Sequence, residues 1–156
     1  MENNLTEKDI ETLNKFGLEI NDKEKIFNIK KLNISNDEIK YIPTEFFKLI
    51  NLEELFIYCR SLRKLPKEIG NLTNLKMLDI KCNNLKELPK EIYNLINLKA
   101  LYIMSDNLES FPDGIERLTN LEILAIFGKP CNLKILPIEE IKKLNNIKEL
   151  EIRLKE

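Results

Sequence analysis

A period of 23 residues governs most of this chain. The clearest copy, residues 75–97, has the sequence LKMLDIKCNNLKELPKEIYNLIN. One partial copy at residues 147–156 follows five copies, which cover residues 29–146 as 29–51, 52–74, 75–97, 98–120 and 121–146. The fifth copy has 26 residues because of small insertions near Gly128–Pro130 and after Pro137. A single unit of this size cannot bury its own apolar side, so the period predicts a stack of like units.

Each copy contains a strand signal followed by a turn signal. The stretch L-x-x-L-x-I alternates between apolar and other residues, as a short strand does. A proline then ends the extended segment, because it cannot donate a hydrogen bond to a neighbouring strand. The following I-x-x-L spacing suits one irregular helical turn. The prolines recur at Pro43, Pro66, Pro89, Pro112 and Pro137.

The full skeleton, L-x-x-L-x-I-x-x-N-x-L-x-x-L-P-x-x-I-x-x-L-x-N, resembles the leucine-rich-repeat family over about residues 29–152. Its second half resembles the 23-residue class of many bacterial repeat proteins. The resemblance implies an α/β fold, namely a leucine-rich-repeat solenoid. In this right-handed horseshoe a parallel β-sheet lines the concave side, and short helical or irregular segments form the convex side. The resemblance also implies that the concave face binds a partner.

The family's mid-repeat asparagine, which bonds to turn backbone groups, is present cleanly only at Asn83. The other copies carry aspartate or arginine there, or are disrupted by the insertion. Because buried turn groups still need partners, we expect neighbouring asparagines to substitute. These are Asn84, Asn107 and Asn132.

The two ends of the chain differ from the repeats, although we expect one domain overall. Residues 1–28 are predicted to form an N-terminal helical cap over the open core of the first repeat; the alternative is a separate binding helix. Thr6 and Asp9 form a capping box, and Gly17 is expected to end the helix. No cap helix is evident after Ile152, so either charge alone protects the last edge strand or a second copy covers it.

The composition argues against catalysis, against metal or cofactor binding and against nucleic acid as a partner. The chain has no histidine, which removes Ser–His and Cys–His nucleophile pairs and the commonest metal ligand. We therefore expect no enzyme, catalytic residue, metal or cofactor, and any activity would belong to a longer polypeptide. The paired carboxylates Glu139 and Glu140 are predicted to be solvated charge. With 25 basic and 26 acidic residues and no basic stripe, nucleic acid is not expected as a partner.

The first residues show neither a basic segment nor an apolar one, so no signal peptide is expected, and the longest apolar runs are too short to span a bilayer. A cytoplasmic protein without membrane contact is expected, with secretion by a non-classical route or as a fragment left open. The abundance of Asn, Lys and Ile is typical of an AT-rich bacterial genome. Cys59 and Cys82 lie 23 residues apart, within disulfide range on adjacent strands, but a reducing compartment favours free thiols.

The third, fifth and seventh positions of each copy point away from the core. Across the predicted sheet these positions form one surface, whose central strands carry apolar and aromatic residues and whose outer strands carry polar ones. This is the composition of a protein-binding patch. Aromatic and methionine side chains would anchor the partner, and Lys81 with Asp79 would set its orientation. The predicted partner-binding residues are Phe56, Tyr58, Met77, Asp79, Lys81, Tyr102, Met104, Ile123 and Phe127.

The sequence therefore predicts a non-catalytic protein–protein interaction scaffold that binds an unidentified protein or peptide on its concave face. Two alternatives stay open. The apolar side chains could simply shield the sheet and pack on one another. The chain could also be a homo-oligomeric structural protein that associates through the concave face or the C-terminal edge strand.

Overall fold

A computed structural model describes residues 5–16, 18, 25–26, 28–129 and 136–154. Its centre is a six-stranded parallel sheet whose strands are adjacent in chain order. This architecture confirms the predicted leucine-rich-repeat solenoid. The strands are β1 (Lys31–Ser35), β2 (Glu54–Tyr58), β3 (Met77–Lys81), β4 (Ala100–Met104), β5 (Ile123–Gly128) and β6 (Glu149–Leu154).

The register of the sheet follows the period of the sequence. From β1 to β5 every residue pairs with the residue 23 positions further along, as in Leu55 with Leu78. Between β5 and β6 the step is 26, and Ile123 pairs with Glu149. The longer fifth copy therefore leaves the pairing intact, although part of its insertion, residues 130–135, lies outside the described residues.

Short helical segments follow the strands on the other side of the sheet. They are four 3-10 helices, η1 (Thr44–Lys48), η2 (Lys67–Asn71), η3 (Lys90–Asn94) and η4 (Ile115–Arg117), and one α-helix, α2 (Ile138–Ile141). A proline precedes η1, η2, η3 and α2. In η2 the Pro66 carbonyl accepts from the Ile69 N–H at 3.1 Å. The proline carbonyl thus accepts the first hydrogen bond of each of these turns. The proline needs no N–H there, because the first residues of a helical turn have no partner for one.

Stacked leucines and isoleucines form one continuous core between the sheet and the helical segments. In the fourth position of each copy, Leu55, Leu78 and Leu124 are completely buried. The equivalent leucine is 8% exposed in the first copy, at Leu32, and 50% exposed in the last, at Leu150. The core is therefore closed towards β1 and open at β6.

Helix α1 (Glu7–Lys15) packs at the β1 end of the core. The predicted capping box is present, with Thr6 and Asp9 bonded in both directions. Asp9 also forms an ion pair with Lys48 of η1 at 2.8 Å, which ties the helix to the first repeat. Leu13 is completely buried in the core. Gly17, predicted to end the helix, lies outside the described residues.

An asparagine ladder joins successive repeats, although not at the family's usual position. The asparagine that closes a copy donates through Nδ2 to a backbone carbonyl of the copy before it: Asn74 to Ile50 at 3.0 Å, Asn97 to Thr73 at 2.8 Å, Asn120 to Ile96 at 2.8 Å and Asn146 to Thr119 at 2.7 Å. The recurring asparagine in the sequence was the signal for this ladder.

In the turns after the strands, one of the three suggested substitutes, Asn107, bonds to a turn backbone group, whereas the Asn84 side chain accepts from Asn107 at 3.4 Å. Asn107 donates through Nδ2 to the Asn83 carbonyl at 2.9 Å, as expected for a replacement of the family's asparagine. Ser105 is buried, and its Oγ donates to the Leu85 carbonyl at 2.8 Å. Asn132, the third expected substitute, lies outside the described residues.

Cys59 and Cys82 are free and completely buried. Each thiol donates to a backbone carbonyl of the preceding repeat at 3.5 Å, Cys59 to Ile34 and Cys82 to Ile57. Burial raises the pKa of Cys82 to about 12. Because the thiolate is the reactive form, these cysteines act as small core residues rather than as nucleophiles.

Glu140 is half-buried and hydrogen-bonded to backbone, so it is more than the solvated charge expected for Glu139 and Glu140. Its Oε2 accepts from the backbone N–H groups of Gly114 and Ile115, at 2.8 and 3.3 Å, at the start of η4. The hydrogen bond from Gly114 holds the pKa of Glu140 below its ordinary value. Glu139 is exposed and pairs with Lys142. The physical reason is that α2 lies against η4, so a carboxylate of α2 caps the neighbouring turn.

Candidate functional site

Three columns of side chains line the open face of the sheet, and we call these columns the concave face. The register brings one residue of each strand into each column, as the sequence predicted. All nine predicted partner-binding residues lie in these columns. The columns run Lys31, Glu54, Met77, Ala100, Ile123, Glu149; then Asn33, Phe56, Asp79, Tyr102, Ala125, Glu151; then Ser35, Tyr58, Lys81, Met104, Phe127, Arg153.

The large side chains of this face are less exposed than the sequence suggested. Of the seven apolar and aromatic residues predicted to be exposed, only Met104 is, at 39%. The other six are half-buried, namely Phe56, Tyr58, Met77, Tyr102, Ile123 and Phe127. Their exposure was overestimated because neighbours on adjacent strands cover one another. They are nevertheless not sealed inside the core.

A polar network occupies the β2–β3 half of the face. The Tyr58 hydroxyl donates to Oδ2 of Asp79 at 2.8 Å. The Lys81 ammonium lies 3.2 Å from the same carboxylate oxygen and donates to the Tyr58 hydroxyl at 3.4 Å. It also stands 4.5 Å from the centre of the Tyr58 ring. One tyrosine, one carboxylate and one ammonium therefore form a closed triangle on the face.

The network fixes the protonation of two of its members. Burial, together with the hydrogen bond to Asp79, raises the pKa of Tyr58. For Lys81, burial lowers the pKa, but the hydrogen bonds to Asp79 and Tyr58 outweigh it, so the net shift is upward. At neutral pH Tyr58 therefore keeps its proton and Lys81 keeps its charge.

Asp79 departs most from its predicted state. It belongs to the face, yet it is only 8% exposed, so the expectation that its carboxylate is accessible is wrong. Its role in orienting a partner stays a prediction. Its Oδ1 is buried and has no hydrogen-bond partner within the described part of the chain. In the register its neighbours on the adjacent strands are Phe56 and Tyr102, whose rings are large enough to cover a shorter side chain between them.

The β4–β5 half of the face is apolar. Tyr102, Met104, Ile123 and Phe127 contribute its large side chains, and Ala100 and Ala125 lie buried among them. Because the alanines are short, the larger neighbours stand above them and present methyl groups and ring edges. This half can offer dispersion contacts to a partner but few hydrogen bonds.

Charged pairs border the face at both ends. Lys31 forms an ion pair with Glu54 at 2.9 Å, and its ammonium lies 4.7 Å from the centre of the Phe56 ring. Glu151 and Arg153 pair on β6. Lys31 was not among the predicted binding residues, although its place beside Glu54 in the first column was a usable signal. Between its charged borders the face thus has an apolar half on β4 and β5, and a half on β2 and β3 that contains the Tyr58–Asp79–Lys81 network.

Two structural features bear on metal binding and on membranes, namely clusters of metal-ligating side chains and membrane-crossing helices. Among them, no group of three or more His, Cys, Asp or Glu side chains is placed to hold a metal ion. No helix within the described ranges combines the length and apolar character needed to cross a bilayer.

The repeating strands, the proline-led turns and one open sheet face define a solenoid of leucine-rich type. A family model described as a leucine-rich repeat region matches residues 45–156. The chain belongs to the leucine-rich repeat family. The fold of this family is generally a scaffold for protein–protein interaction, and its members are typically non-catalytic.

Several solved structures are similar to this chain. The leucine-rich repeat domain of the type III effector XCV3220 (XopL) shares 28% identity with a TM-score of 0.69, over 83% of this chain and 47% of that one. The Leptospira interrogans protein LIC12759 shares 26% with a TM-score of 0.51, over 85% and 45%. The chain thus spans less than half the length of each.

A plant peptide hormone receptor, RGFR1, in complex with RGF2, shares 23% identity with a TM-score of 0.58. The match covers 72% of this chain and 18% of the receptor, and the likeness concerns the fold alone. The curated proteins give no match to this chain.

Proposed function

We propose that the chain is a non-catalytic protein–protein interaction scaffold whose concave face binds a protein or peptide. The observation that carries this proposal is the face itself: six strands in register, with a half-exposed apolar centre between charged borders. Large apolar side chains that remain partly open to solvent in a rigid sheet are typical of interaction surfaces. A rigid sheet also loses little conformational entropy when a partner binds.

Within this scaffold we propose the division that the repeats suggest. Residues 1–28 serve as an N-terminal cap, residues 29–146 as five repeats and residues 147–156 as a terminal partial repeat, in one domain. The burial of Leu13 and the Asp9–Lys48 ion pair support the cap, because both tie α1 to the first repeat.

The proposed roles of the face residues follow from their surroundings. Phe56, Tyr58, Tyr102, Met104 and Phe127 serve as anchors, with Met77 and Ile123 beside them. Asp79 and Lys81 orient the partner, because they place a charge pair within the apolar centre. A buried or half-buried charge pair raises the affinity for a partner with complementary groups and lowers the affinity for others.

Replacement of Tyr102 by alanine tests the proposed function directly. Proteins retained by the immobilised wild-type chain are quantified by mass spectrometry beside those retained by Tyr102→Ala and Phe127→Ala. The matched control is Tyr41→Ala, because Tyr41 is 68% exposed and lies outside the concave face. A partner of the face is retained by wild type and control and is depleted at least about tenfold by the two face variants. Equal retention by all four folded proteins would contradict the proposal.

A second candidate is homo-oligomerisation through the C-terminal edge strand. It is favoured by Leu150, which occupies a core position of β6 and is nevertheless 50% exposed. Pairing of β6 with its own copy would cover this leucine and complete the free edge of the sheet. Light scattering over a concentration series tests it, and a mass that stays monomeric at high concentration would reject it.

We further propose a bacterial, cytoplasmic protein. The richness in Asn, Lys and Ile supports the first part. The two free, buried thiols support the second, because a reducing compartment keeps cysteines in this state.

A further inference from the structure

We infer that the concave face accepts a basic side chain of its partner, an arginine or a lysine, at Asp79. The inference rests on the proposed function and adds to it the chemistry of the partner. It depends on three features of the face: an unused carboxylate oxygen, aromatic rings that already attract cations, and an internal ammonium that a partner can displace.

The first feature is the unsatisfied oxygen of Asp79. Oδ2 of this residue is bonded by Tyr58 and Lys81, whereas the buried Oδ1 has no partner among the described residues. Buried carboxylate oxygens in folded proteins are normally hydrogen-bonded, because an unpaired one is unfavourable. Asp79 as a whole residue is 8% exposed, and its donors lie on the Oδ2 side only. The site therefore lacks one donor.

The second feature is the aromatic surroundings of this carboxylate. Phe56 and Tyr102 flank Asp79 on the adjacent strands. Two of the chain's own cations stack on rings of this face, Lys31 on Phe56 at 4.7 Å and Lys81 on Tyr58 at 4.5 Å. Aromatic faces attract cations electrostatically, and a planar guanidinium can stack on a ring while it donates to a carboxylate. Within the described chain the Tyr102 ring carries no such cation, so it is available to a partner.

The third feature is the position of Lys81. Its side chain is 46% exposed, while that of Asp79 is 12% exposed. A partly solvated ammonium on a flexible stem forms a weak ion pair, because water competes for it and holding it orders a long side chain. Lys81 therefore occupies the site in the free protein without closing it. A partner's basic side chain can displace Lys81 and pair with the carboxylate in its place.

This arrangement also excludes other partners. A purely apolar segment that covered the face would remove the remaining water from Asp79 and leave Oδ1 unpaired. An acidic segment would in addition meet the carboxylate as a like charge. A partner that places a cationic donor at this point forms an ion pair with the Asp79 carboxylate and cation–π contacts with the neighbouring aromatic rings. The partner thus carries apolar residues for the β4–β5 half and a basic residue for Asp79.

A random twelve-residue peptide display library, selected on the full wild-type chain, tests the inference. Peptides are kept if Tyr102→Ala loses them and Tyr41→Ala retains them. We expect arginine or lysine to be enriched at one position of these peptides. The strongest arginine peptide is then synthesised with arginine, with lysine and with citrulline, the neutral isostere of arginine. Calorimetry is expected to show the citrulline peptide binding wild type about tenfold more weakly than the arginine peptide.

Asp79→Asn provides the decisive comparison, and Asp113→Asn, an exposed aspartate in the turn before η4, is its matched control. The preference for arginine over citrulline is expected to disappear in Asp79→Asn and to persist in Asp113→Asn. Lys81→Met removes the internal competitor, so it is expected to bind the arginine peptide several-fold more tightly. This variant keeps the inference testable if Asp79→Asn does not fold.

The outcomes separate the two proposals. Face-dependent peptides without a basic residue, or a preference for arginine that survives Asp79→Asn, overturn the inference and leave the proposed function standing. Unchanged or weaker binding by folded Lys81→Met also overturns it. If no selected peptide depends on Tyr102, the proposed function and the inference fall together.

Discussion

At the β1 end of the solenoid, helix α1 packs on the first repeat, and the core leucine there, Leu32, is 8% exposed. At the β6 end the equivalent leucine, Leu150, is 50% exposed. The two residues occupy the same position of the repeat motif in two different copies, the first and the last. Their difference shows that in a stacked architecture the surroundings of a residue, and not its place in the motif, determine how much its burial stabilises.

The two ends of the solenoid also differ in what their residues contribute: those at the β1 end stabilise the fold, and those at the β6 end are available for association. The β1 end combines apolar packing by Leu13, a capping box and the Asp9–Lys48 ion pair. The β6 end presents a free strand edge with charged residues, Glu149, Glu151 and Arg153, next to an open core position. Charges on a free edge oppose pairing with foreign strands but allow pairing that matches them. We therefore expect changes at the first end to alter folding, and changes at the second to alter association.

The largest expected effect is that of Leu13→Ala. Leu13 is completely buried, so its truncation leaves a cavity and should lower the free energy of unfolding by about 2–5 kcal/mol. The matched change at the open end, Leu150→Ala, removes a side chain that is half in water and should cost about 1 kcal/mol or less. Urea denaturation followed by circular dichroism measures both. Equal losses at the two ends would show that α1 is not a cap.

Next in size is Asp9→Ala. The substitution removes the carboxylate that accepts from the Thr6 backbone N–H in the capping box, together with one side of the ion pair with Lys48, and should destabilise by about 1–2 kcal/mol. Glu149→Ala, at an exposed position of β6, should stay within about 0.5 kcal/mol. A loss from Glu149→Ala as large as that from Asp9→Ala would contradict the contrast between the ends.

Asp9 also predicts a dependence on acid. Burial opposes its ionisation, but the hydrogen bonds from Lys48 and Thr6 outweigh burial, so its folded pKa lies below the ordinary value of 3.8. A carboxyl with a lowered folded pKa stabilises fully above its unfolded pKa, and this stabilisation is lost as pH falls through the folded pKa. Wild type should therefore lose more stability than Asp9→Ala between pH 5 and the folded pKa of Asp9, in parallel urea titrations. If wild type and Asp9→Ala lost stability identically as the pH falls, ionised Asp9 would not stabilise the fold.

A small effect on stability is also expected of Leu150→Lys, which should shift the free energy of unfolding by less than about 1 kcal/mol because the side chain is already half exposed. Its consequence concerns association. If copies pair through β6, the lysine abolishes the pairing, and sedimentation velocity shows monomers where wild type shows dimers. Dimers that persist in the folded variant would locate the contact elsewhere, with the concave face as the next surface to test.

The columns of the sheet could be predicted from the sequence, because a constant step of 23 residues leaves one register only. Phe56, Asp79 and Tyr102 therefore lie side by side, as predicted. Their binding role stays a prediction. The capping box of Thr6 and Asp9 was equally visible, because a local motif depends on neighbouring residues alone.

The burial of Asp79 could not be predicted in this way. Tyr58 pairs in the register with Lys81, and its hydrogen bond to Asp79 crosses diagonally between the strands. Side-chain rotamers determine such a contact, and the period of the sequence does not constrain them. The cap that Glu140 provides for η4 was missed for another reason. It joins the fourth copy to the fifth, and the insertions in the fifth copy change the 23-residue spacing there.

The constant register also means that the chain can change in whole units. Deletion of residues 75–97 would join β2 directly to β4, with Phe56 beside Tyr102 and every core position still aligned. The sheet would become about 4.8 Å narrower. Asp79 and Lys81 would leave together, so one recombination event would turn a mixed, charge-bearing groove into an aromatic one. Gain or loss of a copy is thus a route by which such a scaffold can exchange one kind of partner for another.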